Sequence, residues 1–217
     1  GWSAIDIGRI LVPLHILQKK HPKHKVLVQN VLNRWRMDDV VHHNLMFGGT
    51  FDKNGQIKSL QEGRLGYEQY AAKTFHLFGY DAKNAANYTT YLNYVNVYGF
   101  DIGTDSRTPQ SSGAQNYVLS EPYILDGLEF GFDKSSKELA ARLYLAQQAR
   151  YKDTGVLTAV SEDHIDVAPY FVYNTVYVAG KTWATITDKG QDASAFRSLS
   201  TKAVFGWHAL YNTDYSH

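Results

Sequence analysis

The sequence contains no cysteine, only five prolines and only two methionines among its 217 residues. Without a thiol there is no disulfide, no thiolate metal site and no cysteine nucleophile. That absence leaves the compartment open. No stretch approaches the roughly 20 apolar residues of a membrane span, and the start, GWSAIDIGRIL, has neither a charged leader nor a cleavage site. Charge of one sign is missing too: 22 basic residues against 21 acidic ones leave a net charge of +1. No broad field therefore draws the chain to nucleic acid or to an acidic membrane surface. The basic run KKHPKHK at 19–25 reads as a solvated turn between helices. Several signatures are also lacking. There is no G-x-x-x-x-G-K-[ST] or G-x-G-x-x-G phosphate loop and no G-x-S-x-G elbow for a serine nucleophile. The side chains of His42-His43 would diverge, and His21-x-x-His24 lies in a basic turn, so neither makes a zinc pattern. No metal and no cofactor is expected.

What the chain has in quantity is aromatic rings: 16 Tyr, 10 Phe and 4 Trp make 14% of it. Amphipathic rings suit sugar stacking and an ordinary core equally well. With 44% hydrophobic residues the length supports one good-sized core, so a single domain over 1–217 is expected.

Ser3 and Asp6 form an S-x-x-D capping box opening a helix to about Lys20, apolar nearly all round and so buried, with Pro13 expected to kink it. Pro22 opens a second helix through Trp35, making a helical hairpin. Asn54-Gly55 between alternating residues predicts a β-hairpin. Helical period returns from about Arg64 to Phe78 and stops at Gly79, and 81–92 read as a short helix. Residues 94–117 read as a strand followed by a Gly/Ser/Asp-rich excursion suited to a cleft rim or lid. Ser120 with Pro122 starts another helix, and Ser135 with Glu138 caps a long one ending at Gly155. A second hairpin covers 170–187 and a last helix 200–210. About six substantial helices, β-ribbons between them and no internal repeat give helical hairpins joined by long functional loops.

Five ordered strings, GWSAIDIGRIL, LQEGRLGYEQYAAK, NYVLSEPYILDGLEFGFD, APYFVYNTVYVAGKTW and STKAVFGWHALY, resemble the bacterial domain of unknown function 3131 family over essentially the whole chain. The resemblance implies a mainly α fold, an α/α toroid with inserted β-hairpins, similar at a distance to glucoamylase-like and β-1,2-glucan-hydrolysing proteins. It also implies a carbohydrate-active module of a bacterial envelope or exopolysaccharide system, periplasmic or extracellular, with an oligo- or polysaccharide as its partner. In that family a helical region precedes the GWSAID motif. The chain therefore resembles the later part of a longer domain, an incomplete six-hairpin barrel lacking N-terminal hairpins or completed by another chain.

Glycoside hydrolysis needs one carboxylic acid for the leaving oxygen and a second carboxylate for water or the anomeric carbon. Glu68, between Tyr67 and Tyr70, is the first candidate acid, because neighbouring rings exclude water and favour the protonated form. An i,i+4 pair with Arg64 is its structural alternative. Glu62 on the preceding turn either joins the catalysis, binds a sugar hydroxyl or supports the helix start. Glu121, at a helix N-terminus, suits a base or nucleophile, or simply stabilises the helix. Arg64, Tyr67, Tyr123 and Tyr170 are candidate sugar contacts. The resemblance to the glucan-hydrolysing toroids adds Asp6 as a substrate-binding candidate, with Trp2 as its stacking neighbour, beside the capping role that already accounts for Asp6. The resemblance further favours Glu162, Asp166, Pro169 and Tyr170, as ligands of sugar hydroxyls or a cation, or as solvated loop residues.

Overall fold

The computed structural model describes residues 1–62, 64–112 and 116–217, so part of the expected excursion before residue 117 falls outside the described residues. The chain divides into two compact units. The first comprises Gly1–Gly63, Tyr67–Thr90 and Gln110–Gly113; the second comprises Arg64–Gly66, Tyr91–Pro109 and Ala114–His217.

Unit one opens with α1 (Ala4–Lys20), where the Ser3 hydroxyl accepts the Asp6 N–H at 3.3 Å and Lys19 and Lys20 complement the last turn. Pro13 lies inside this helix, which still runs unbroken to Lys20. A 3₁₀ turn at Pro22–His24 leads to α2 (Lys25–Leu32), which buries Val28 and Leu32. Strands β1 (Val41–His42), β2 (Leu45–Phe51) and β3 (Ile57–Gln61) then form an antiparallel sheet in sequence order. The Asn54-Gly55 signal marks its hairpin. Gly55 has φ 76°, and Asp52 Oδ1 accepts the N–H groups of Asn54 and Gln56 at 2.8 Å. Helix α3 (Tyr67–His76) packs on α1 where Gly8 meets Ala71 and Thr74: a Cβ on Gly8 would lie 2.8 Å from Thr74 Oγ1. Leu11, Met46, Tyr70 and Phe75 fill the core. The helix expected at 81–92 is absent; turns replace it, with Asp81 and Asn87 side chains accepting the N–H groups of Lys83 and Thr89. Such local bonds compete with a helical ladder.

Unit two holds the hairpin β4 (Leu92–Val97) and β5 (Phe100–Asp105), where a lone strand was expected. Its turn is Tyr98-Gly99, with φ of 53° and 81°, which matches the right-handed twist of a two-residue hairpin loop. The four-residue α4 (Pro109–Ser112) has only Pro109 in unit two, whose next helices are α5 (Glu121–Phe130) and α6 (Lys134–Thr154). The cap of α6 is Asp133 with Ser136, not Ser135 with Glu138, because Asp133 supplies the extended backbone that a cap requires and exchanges both cap bonds with Ser136. Strands β6 (Glu162–His164), β7 (Phe171–Val178) and β8 (Lys181–Ile186) form a second three-stranded antiparallel sheet, and α7 (Thr201–Tyr211) closes the chain. Helices α5 and α7 approach closely at Gly206, where a Cβ would lie 2.4 Å from Ile124 Cγ2. Tyr144, Trp207 and Tyr211 form an aromatic cluster within the same unit. Gln147, fully buried, accepts the Val160 N–H at 2.9 Å and the Ser120 hydroxyl at 3.3 Å, tying α6 to two loop segments.

The mainly α toroid is therefore corrected. Among the described residues six helices have eight or more residues, as expected, but helix makes up 42% and strand 21%, with the strands in three antiparallel sheets. The fold is mixed α and β. The physical reason lies in the core: strand residues Met46, Ile102, Val172 and Val176 are fully buried, and α1 packs on β2 as α6 packs on β5. The helices bury their apolar faces on sheets as well as on one another, so the strands are structural layers rather than ribbons inserted into a helical ring.

Candidate functional site

In unit one the chain start pairs with β2. The Trp2 N–H donates to Gly49 O at 2.7 Å and the Gly49 N–H to Trp2 O at 2.9 Å. Successive strand residues face opposite sides, and the two glycines of Phe47-Gly48-Gly49-Thr50 make room for different neighbours. A Cβ on Gly48 would lie 2.6 Å from Glu62 Oε1 and 3.1 Å from Trp2 O; one on Gly49 would lie 2.3 Å from Cζ2 of the Trp2 indole. Gly48 thus admits a carboxylate, and Gly49 lets a ring lie on the strand.

Glu62 Oε1 accepts the Ala4 N–H at 3.1 Å, at the start of α1, where the helix dipole stabilises negative charge. Trp2 walls a cavity of about 380 Å³ that Trp35, Phe51 and Ile57 line on apolar sides and Arg36 and Asp39 on a polar one. Trp2 meets Phe51 edge to face at 6.0 Å, and Arg36 pairs with Asp39 at 3.0 Å. Glu68 is the second residue of α3 and only 1% exposed, with Tyr67 and Tyr70 also buried. Gly8 and Ala71 are each the fifth residue of their helix, so the contact between them leaves both helix starts only about 6 Å along the axes from the crossing. Glu62 thus lies at the start of α1 and Glu68 in the first turn of α3.

Unit two carries a separate carboxylate. Glu121, first residue of α5, receives the Ser161 hydroxyl at 3.3 Å and the Lys202 ammonium at 3.0 Å on Oε2. Arg64 lies 5.3 Å from the Tyr117 ring and 5.6 Å from Tyr173, and these two rings stack at 3.9 Å. Burial raises the pKa of both phenols above the ordinary value; the Arg64 charge opposes that rise, and for Tyr173 the Glu162 carboxylate, facing it across β6 and β7, adds to it. Helix α3 begins at Tyr67, so Arg64 precedes it rather than opening it. Gly66, with φ 93°, sets the delayed start and passes against Pro122 and Tyr123.

The remaining candidates divide by exposure. Tyr123 is 2% exposed and belongs to the interior of unit two, whereas Tyr170 is 63% exposed and Asp166 also faces solvent. Asp6 is exposed, with its N–H committed to Ser3. His42 stacks on Phe47 at 3.7 Å, and among the described residues no three His, Asp or Glu side chains converge as a metal site. No described helix is long and apolar enough to cross a membrane.

The family model described as Protein of unknown function (DUF3131) matches residues 1–217. The chain belongs to this family. No curated protein and no solved structure matches it. In this DUF3131 chain, sequence reasoning missed Trp35, Phe51, Tyr117, Tyr173, Ser161 and Lys202 as neighbours of the candidate residues. Gly48-Gly49 in a strand was the available signal for a close approach. Lys202, 81 positions from Glu121, offered none.

Proposed function

We propose that the DUF3131 chain is a carbohydrate-active protein, a glycoside hydrolase of a bacterial exopolysaccharide or glucan outside the cytoplasm, with its sugar site in unit one. The observation that carries this reading is the double role of Trp2, whose ring walls an aromatic cavity while its backbone carbonyl, like the Glu62 carboxylate, lies beside Gly48. Sugar rings present C–H faces to aromatic side chains and hydroxyls to polar ones. Trp2, Trp35 and Phe51 supply the first contact, and Arg36 with Asp39 the second. Glu68, buried beside tyrosines, is assigned the general acid, and Glu62, in the field of a helix N-terminus, the base or nucleophile. The distant resemblance to glucoamylase-like and glucan-hydrolysing proteins supports the reaction class; it supports no toroid. Glu121 remains a candidate within unit two.

The second reading is a glycan-binding module without catalysis, favoured by the commitment of Glu62 Oε1 to the Ala4 N–H. Incubation with a panel of bacterial and plant glycans, with new reducing ends read by chromatography, separates the two. Product that disappears in Glu68→Gln and Glu62→Gln supports hydrolysis. Binding without product, lost in Trp2→Ala, supports the module. Full activity in both glutamine variants would sink the assignment of the acids, and absence of any glycan binding would sink both readings.

A further inference from the structure

Unit two holds an open cavity of about 270 Å³ between β7, β8, the C-terminal part of α6 and residues 156–160. It sits just below the ~300–1,000 Å³ typical of small-molecule sites. Two guanidiniums line it. Arg150, half-buried, donates to Thr158 Oγ1 at 2.5 Å and lies 4.9 Å over the Trp183 ring, which fixes its orientation. Arg197, at the exposed rim, donates through Nε to Thr185 Oγ1 at 3.4 Å. Among the described residues neither has a carboxylate within ion-pair distance. The surrounding acids are engaged elsewhere: Asp163 takes Asn174 Nδ2 at 2.8 Å and Ser198 Oγ at 3.1 Å, Asp192 takes the Ser194 hydroxyl at 2.8 Å, and Asp153 takes the Tyr98 hydroxyl at 3.2 Å. Asp192 and Arg197 still feel each other's charge, and Arg150 is disfavoured as a cation by burial and then by Arg197.

Two further features mark the cavity as a built site. Trp183 has φ 53°, a strained conformation for a bulky residue, and the β7–β8 ladder pairs Thr175 with Ala184 and Tyr177 with Thr182 but skips it. Strain of this kind persists only where surrounding structure enforces it, and it clusters at ligand sites. One side of the cavity is apolar and open, with Val156, Leu157 and Leu199 exposed by 46%, 56% and 38%.

We propose that this cavity binds a small oxyanion carried on an apolar or ring-shaped body, with Arg150 and Arg197 as the charge partners and the Val156, Leu157 and Leu199 wall as the seat of the body. Planar guanidinium forks match the oxygens of carboxylate and phosphate alike. The inference does not rest on the carbohydrate reading of unit one. Calorimetric titration of the full chain with D-glucuronate, glucose 6-phosphate, inorganic phosphate and D-glucose tests it. A charged sugar binds, glucose does not, and Arg197→Gln weakens the charged probe by about tenfold. Binding of glucuronate identifies a carboxylate ligand and binding of glucose 6-phosphate a phosphate ester; either supports the site. Arg150→Gln repeats the loss, with circular dichroism to check its fold, while Arg197 is exposed enough to decide the matter alone. Glucose binding as tightly as the charged sugars, unchanged affinity in Arg197→Gln, tighter binding of inorganic phosphate than of either charged sugar, or no binding to about 10 mM would overturn it.

Discussion

Lys202 reaches Glu121 across 81 positions of sequence, placing its ammonium 3.0 Å from the Oε2 atom of a carboxylate that is only 7% exposed. The bond joins α7 to the first turn of α5, and Ser161 completes the arrangement from the loop before β6. The lysine side chain is 50% exposed, so solvent screens the pair. Lys202→Met is expected to lower stability by about 1 kcal/mol, below the range of a fully buried charged bond. Urea denaturation of Lys202→Met, Glu121→Gln and the double variant checks this, with the double variant losing less than the sum of the singles.

Gln147 offers a stronger case, because every partner is buried. Replacement by leucine keeps the volume close but leaves the Val160 N–H without its acceptor. An unsatisfied buried donor costs about 1–3 kcal/mol. Gln147→Leu is expected to lower the urea midpoint accordingly, with an unchanged denaturant slope.

At Gly206 the prediction concerns volume. A methyl group there meets Ile124 Cγ2 at 2.4 Å and Cδ1 at 3.0 Å, so Gly206→Ala overpacks the contact of α5 with α7 and costs about 1–3 kcal/mol. Ile124→Ala removes both clashing atoms. The double variant is therefore expected to be more stable than the two single losses added together, read by thermal or urea unfolding.

Alkaline pH tests the buried phenols. Tyr117, Tyr123, Tyr173, Tyr211 and Tyr215 all have pKa values raised above 10.0, with burial the leading cause in each. Above pH 10 the unfolded chain loses protons that the folded chain keeps, so stability is flat below that pH and declines as pH rises beyond it. Absorbance of tyrosinate at pH 11 is expected to increase on unfolding, and the urea midpoint to fall between pH 9 and 11. Equal tyrosinate in folded and unfolded chains would contradict the burial of these rings.

Local signals carried the secondary structure well where a few adjacent residues decide the geometry. Asn54-Gly55 turned between strands, Ser3 capped α1, and Gly155, with φ 70°, ended α6. They failed at the start of α6, where the sequence pattern places the cap at Ser135 with Glu138 and the extended backbone at Asp133 takes it instead. Residues 81–92 read as a short helix, yet Asx bonds from Asp81 and Asn87 hold turns there up to the start of β4.

The sequence by itself determined the six longer helices, two of the hairpins, the absence of thiol chemistry, the balanced charge and the acids to test, because capping, turn formation and composition act within a few residues or need no geometry at all. Only the tertiary structure decided that the strands form buried layers, that Gly48 and Gly49 open space for Glu62 and Trp2, that Lys202 meets Glu121, and that Arg150 and Arg197 share a cavity. Those relations depend on strand register and helix packing, in which residues far apart in the chain meet through shape, and no local pattern encodes the meeting.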